Sequence, residues 1–205
     1  MFDIAGKPLS LGNLPDIEGY PLLNKNWMTG TVIFRDGRLY AGLLLNLNLY
    51  SNELLFLKDS IELVFTDPVK EFSITHIENK LPAQTRFRSG YPASGKRSDN
   101  SFYEVLTDGP IVELIKYRSK VVVEIILYGG AVKRIYQQED NLFAFDVKNK
   151  KIQPLPKGIK AVKDFLPDCT ALINQFVSNN KLTMKDESNL ILLFQYINAE
   201  TIKKQ

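Results

Sequence analysis

From Arg38 to Tyr50 apolar residues recur at every second position. Leu39, Ala41, Leu43, Leu45, Leu47 and Leu49 fall on one side of an extended chain. Tyr40, Gly42, Leu44, Asn46, Asn48 and Tyr50 fall on the other. A period of two is that of a β-strand, so this stretch predicts a long strand with one apolar face and one mixed face. Asp36-Gly37, just before it, tolerates the positive φ of a tight hairpin turn and joins it to a strand over Trp27 to Arg35.

The same reading extends along the chain. Short apolar runs are predicted as strands over Glu53 to Leu57, Ser60 to Thr66, Val69 to Ile77, Thr85 to Arg88 and Phe102 to Leu106. Further strands are expected over Ile111 to Tyr117, Val121 to Tyr128, Val132 to Gln138 and Asn141 to Val147. Asp67-Pro68, Asp108-Gly109, Arg118-Ser119, Gly129-Gly130 and Asp140-Asn141 supply the turns between neighbouring strands. Residues 1–25 carry Gly6, Pro8, Gly12, Pro15, Gly19 and Pro21, too many breakers for a long helix, and read as an extended arm.

After Pro156 the period changes. Ile159, Val162 and Phe165 or Leu166 fit one helical face, and Pro167 suits the first turn of the next helix. Thr183 and Asp186 resemble a capping box ahead of a stripe at Leu190, Leu193, Phe194 and Ile197. Strands first and helices last predict a β-dominated α+β fold. The expectation is a curved antiparallel meander sheet, an open barrel or half-barrel, with C-terminal helices packed on it. One domain over 1–205 is expected: an arm at 1–25, the sheet at 26–150 and a helical cap at 157–200.

Trp27-x-x-Gly30-x-Val32, Asn52-Glu53-Leu54, Phe102 to Leu106 with Asp108-Gly109, and Leu166-Pro167-Asp168 together resemble a group of often secreted proteins of Bacteroidetes-type bacteria. The resemblance runs from about residue 20 to 198. The group has no assigned activity, so the resemblance carries over no catalytic residue. It implies a periplasmic or cell-envelope setting if a signal peptide has been removed.

Composition narrows the chemistry. The chain has 205 residues, 44% hydrophobic and 24% charged, with a net charge of +3. These values fit a globular core and are too weakly basic to imply a nucleic-acid partner. No apolar run approaches a membrane span of about 18 residues, so a soluble chain is expected. The single Cys169 forms no intrachain disulfide.

Several constellations bear on chemistry. Gly90-Tyr91-Pro92-Ala93-Ser94-Gly95-Lys96 matches the first part of a phosphate-binding loop, but Arg97 stands where a Ser or Thr hydroxyl is needed, and strands flank it. A surface loop is the better reading, and residues 89–100 are expected to be mobile. The stretch interleaves Arg86, Arg88, Lys96 and Arg97 with Phe87 and Tyr91, a composition suited to contact with an anionic surface. Metal sites and triads would need His76, the only histidine, which has no ligand-type neighbour in sequence. Cys169 has no recognisable base. Glu53, Glu62, Glu71, Glu104 and Glu124 lie on different strands and could pair for hydrolysis.

No catalytic, cofactor-binding or metal-ligating set is assigned, and no cofactor is expected. Arg86, Arg88, Tyr91, Lys96, Arg97, Asn46 and Asn48 are the candidate surface contacts. The leading expectation is a non-enzymatic envelope protein acting through a protein partner. A carrier of an apolar small molecule comes second and a carboxylate hydrolase third.

Overall fold

The computed structural model describes residues 4–8, 17–78, 80–156, 158–180, 182–183 and 186–202. Strands dominate: β1 (Gly6–Pro8), β2 (Ile17–Glu18), β3 (Met28–Phe34), β4 (Leu39–Asn48), β5 (Glu53–Lys58), β6 (Ile61–Phe65), β7 (Val69–Glu78), β8 (Leu81–Arg88), β9 (Tyr103–Thr107), β10 (Val112–Ile126), β11 (Val132–Asp146) and β12 (Lys151–Pro154). Three helices follow: α1 (Ile159–Phe165), α2 (Thr170–Asn180) and α3 (Glu187–Ile202). This is the β-dominated α+β class that the change of period predicts. Pro167 opens a 3₁₀ turn that runs into α2. Met184 and Lys185, inside the expected capping box, lie outside the described residues.

The chain divides into two compact units, each assembled from separate segments. Unit 1 holds residues 1–90, 100–102 and 118–140. Unit 2 holds 91–99, 103–117 and 141–205.

In unit 1 the strands lie in the order β1-β6-β5-β4-β3-β7-β8 and pair antiparallel. The order does not close on itself. Its core joins Val32, Phe34, Leu45, Leu47, Phe56, Phe72, Ile74 and Phe87, with Phe72 stacked on Phe87 at 4.8 Å. Gly30 is needed at the centre: a Cβ there would stand 2.2 Å from the Ser73 carbonyl oxygen.

The long strand departs from simple alternation. The β3–β4 register pairs Gly30 with Leu43 but Thr31 with Ala41, leaving Gly42 as an extra residue with φ +76°. A glycine bulge of this kind shifts the phase of a strand by one. Leu43, Leu45, Leu47 and Leu49 are buried as expected, whereas Leu39 and Ala41 are exposed. Tyr40 turns inward instead and meets the Phe34 ring edge-on at 5.8 Å.

On the mixed face beyond the bulge Asn46 and Asn48 are buried while Leu44 and Tyr50 are exposed, and the arm pairs beside the strand there. Leu23 N–H donates to the Leu47 carbonyl (2.7 Å) and Leu49 N–H to the Pro21 carbonyl (2.9 Å). Lys120 holds the same arm, donating to the carbonyls of Tyr20 (2.9 Å) and Leu22 (2.8 Å).

The turns expected at Arg118-Ser119 and Asp140-Asn141 do not form, and β10 and β11 run through both. They make one long hairpin. Ser119 Oγ donates to the Glu139 carbonyl, Arg134 meets Glu124, and Leu127 N–H donates to the Ala131 carbonyl, all in one continuous register. Two residues of weak turn character do not interrupt a ladder of that length. Gly129 and Gly130, at φ +93° and +84°, make the turn.

In unit 2 the order is β9-β10-β11-β12. Val112, Leu114 and Ala144 face the helices and form a core with Val162, Ile173, Leu190, Leu193, Phe194 and Ile197. The other face carries Tyr103, Ile115, Tyr117, Phe143 and Phe145, together with Tyr91 from the preceding loop.

Candidate functional site

Each candidate contact residue has a definite place. Asn46 is 1% exposed, and Asn48 is buried as well. The Asn46 amide donates to the Asn24 carbonyl (2.8 Å) and its oxygen accepts from Asn24 N–H (3.3 Å), so it fastens the arm. The Asn48 oxygen accepts from Tyr50 N–H (2.9 Å) and Ser51 N–H (3.2 Å) and shapes the turn into β5. Both are internal polar ties rather than surface contacts. Alternation places them on a polar face but does not reveal the segment that covers it.

On β8, Arg88 meets Glu71 at 2.9 Å, and Arg86 lies 3.9 Å from the same carboxylate. Phe87 between them is in the core. The basic-aromatic stretch therefore presents no row of free rings for bases to stack on.

The loop after β8 is docked, contrary to the mobile loop expected. Ser89 Oγ donates to the Val69 carbonyl (2.6 Å). Tyr91 is buried, and its hydroxyl donates to the Glu113 carboxylate (2.5 Å). Its ring meets Tyr103 at 5.4 Å and Phe145 at 5.1 Å, both edge-on. Ser94 and Arg97 exchange two backbone hydrogen bonds (3.0 and 3.1 Å) around Gly95, at φ +60°. No helix follows the Gly90 to Lys96 segment; the next element is β9. The segment thus lacks the helix N-terminus that a phosphate loop uses.

The loop brings Tyr91 and Arg97 together on the aromatic face of unit 2, while Lys96 points to solvent. The Arg97 guanidinium carbon lies 4.4 Å from the Tyr117 ring centre and 4.6 Å from that of Phe143. Both are cation–π distances. Tyr103 packs against Tyr117 (5.4 Å) and Phe143 (5.5 Å). Burial raises the Tyr103 hydroxyl to a pKa of about 12, with the Arg97 charge opposing the shift, and burial likewise raises Tyr117. Neither Tyr103 nor Tyr117 stood out in the sequence, because a strand face of aromatics reads as core until the residue covering it is known.

The carboxylates do not gather. Glu71 serves the β8 arginines, and Glu124 meets Arg134 at 2.9 Å. Glu104 and Glu113 are buried, but on opposite faces of the unit 2 sheet. Glu104 is in register with Lys116, whose ammonium reaches Glu187 on α3, whereas Glu113 bonds Tyr91 on the aromatic face. Among the described residues no group of three or more His, Cys, Asp and Glu side chains could hold a metal ion. No helix among them is long and apolar enough to cross a membrane.

A second feature of unit 1 lies at the hairpin tip. The hairpin tip, Ile125 to Val132, contains no charge across eight residues. Tyr128 is fully exposed, Ile126 is 78% exposed, and Ile125, Leu127 and Val132 are exposed as well. Beside the tip runs a groove of about 460 Å³, lined by Ile17, Glu18, Leu127, Val132, Lys133 and Arg134.

No protein-family model, no curated protein and no solved structure matches this chain.

Proposed function

We propose that this chain is a non-enzymatic interaction module whose contact element is the β10–β11 hairpin tip, seated on a protein partner. The observation that carries this reading is the uncharged, outward-facing run of Ile125, Ile126, Leu127, Tyr128 and Val132. Covering a large apolar side chain is worth about 1.5–3 kcal/mol, so leaving several open in one place marks a contact surface. Tyrosine and isoleucine offer a partner large area at low conformational cost. The flanking bases favour protein over lipid. Lys133 pairs with Glu18 and Arg134 with Glu124, which cancels the positive collar that draws a hairpin to an anionic membrane.

The test is a photocrosslinking amino acid in place of Tyr128, with the protein in its native cells. One discrete protein adduct is expected, absent in Ile126→Asp and absent when the same probe replaces the exposed Ile61. Equal adducts at both positions, or partition of the tip into phosphatidylcholine vesicles without any protein adduct, would overturn the proposal. The envelope setting is proposed on the sequence resemblance, and fractionation of the native cells tests it.

A second reading, carriage of an apolar small molecule, rests on a groove of about 340 Å³ in unit 1 lined by Ile4, Leu43, Leu44, Phe56 and Leu57. That volume is at the small end of ligand sites. Native mass spectrometry of protein purified without detergent would show a bound mass of several hundred daltons if this reading holds.

A further inference from the structure

The fold treats the two edges of the β10–β11 hairpin differently. Leu127 N–H donates to the Ala131 carbonyl, and Glu124 faces Arg134 across the strands. In that register Val121, Val123 and Ile125 direct their backbone groups towards β11, while Val122, Glu124 and Ile126 direct theirs away from it. Lys120 shares the outward phase, and its N–H donates to the Leu49 carbonyl at 2.9 Å. Beyond Lys120 no strand pairs with this side of β10 among the described residues. The opposite edge is covered: β2 pairs in parallel with β11, Ile17 with Arg134 and Glu18 with Ile135.

Other outer strands of the molecule are blunted. β1 has three residues and ends at Pro8, and β12 has four, from Lys151 to Pro154. Short length, lysine and proline all discourage pairing with another chain. The open side of β10 has none of these. Val121 to Ile126 contains no proline and no glycine, and every residue but Glu124 is β-branched. Its single charge, on Glu124, is already paired with Arg134. Glu124, Ile125 and Ile126 are exposed and Val121 to Val123 are half-buried, so the edge is within reach of another chain.

N–H and C=O groups turned outward at every second residue match the backbone of another extended chain. Val121, Val123 and Ile125 share one face of the strand. An added strand sets its own alternate side chains beside them, and β-branched or aromatic residues pair best with such neighbours.

We propose that the open edge of β10, at Val122, Glu124 and Ile126, takes up an extended apolar segment of the partner protein as an added β-strand. The proposal rests on the hairpin tip as the contact element, and it goes further by making the partner's backbone the thing recognised.

The test uses the full chain in its native cells with the photocrosslinking amino acid at position 128. Val122→Pro removes an outward N–H and no bond between β10 and β11, so the hairpin keeps its ladder. Its protein adduct should fall about tenfold, the worth of one good backbone hydrogen bond. Val122→Thr keeps the N–H and the β-branched shape and should crosslink as wild type does. A second measurement does not depend on the proline variant folding. In the purified wild-type adduct, amide exchange over Val122 to Ile126 should be about tenfold slower than in the free chain. A full adduct yield in Val122→Pro, an equal loss in Val122→Thr, or unchanged exchange in the adduct would overturn strand addition and leave the tip as the contact element. Absence of any adduct in wild type would overturn both.

Discussion

The Asn198 side chain bonds both backbone groups of Val112. Its oxygen accepts from Val112 N–H (3.1 Å) and from Ile111 N–H (3.1 Å), and its amide nitrogen donates to the Val112 carbonyl (2.8 Å). Asn198 is buried on α3, and a Cβ on Gly109 would stand only 2.3 Å from its amide. The residue therefore acts as a strand partner supplied by a helix. It terminates β10 where no neighbouring strand serves those groups.

Asn198→Ala strands three backbone groups in an apolar setting and should destabilise the fold by about 2–5 kcal/mol. Asn198→Asp keeps the acceptor but loses the donor to Val112, so it should not rescue the loss. Urea melts of the two variants check this, and a change under about 0.5 kcal/mol in Asn198→Ala would contradict the assigned role.

Two glycines in unit 1 should respond differently to alanine. Gly30→Ala drives a methyl into the Ser73 carbonyl, and backbone cannot move aside as a side chain can. The expected cost is about 3 kcal/mol, the top of the usual overpacking range. Gly42→Ala meets no atom within 4 Å and bears only the penalty of positive φ, about 1 kcal/mol. Thermal denaturation of both variants ranks them.

Asn46→Ala should release the arm. It removes the bonds to Asn24, and it leaves a buried hole beside Leu47. The Leu23 amide, which donates to the Leu47 carbonyl, should exchange with deuterium at least tenfold faster while amides in β7 keep their rates. Equal acceleration in both places would indicate general destabilisation instead.

Tyr103 fixes an alkaline limit. Its folded pKa of about 12 lies above the ordinary phenol value of 10, and the cause is burial. A raised acid is neutral in the folded chain at a pH where the unfolded chain already ionises. Its contribution is complete below pH 10 and is lost as pH rises towards about 12. Stability should fall across that window, and Tyr103→Phe should flatten the fall. Absorbance at the tyrosinate band, followed against pH, should show Tyr103 among the last phenols to ionise.

The period-two pattern made the strand class legible, and the change of period after Pro156 marked the helices. Local reasoning missed what depends on distant residues. The Gly42 bulge is one such case, since alternation continues through it and only the partner strand reveals the extra residue. The alternation marks a mixed face at Asn46 and Asn48, but not that the arm is the segment that ties them in. Tyr91 and Arg97 were legible as candidates from composition, but a loop has no period, so their docking on Tyr103 and Tyr117 was invisible. The apolar tip was hidden because an exposed strand end and a buried one have the same letters.

The hairpin of β10 and β11 is divided between the units, with residues 118–140 in one and the strand ends in the other. Neither unit is a continuous piece of chain. No truncation isolates one without removing strands from the other, and a stop or frameshift between residues 103 and 118 deprives unit 1 of its last segment. For synthesis on the ribosome, this means that unit 1 lacks a required part until Asp140 has emerged. Folding cannot be completed in simple order from the N-terminus, and the growing chain must keep its early apolar strands from pairing elsewhere during that delay.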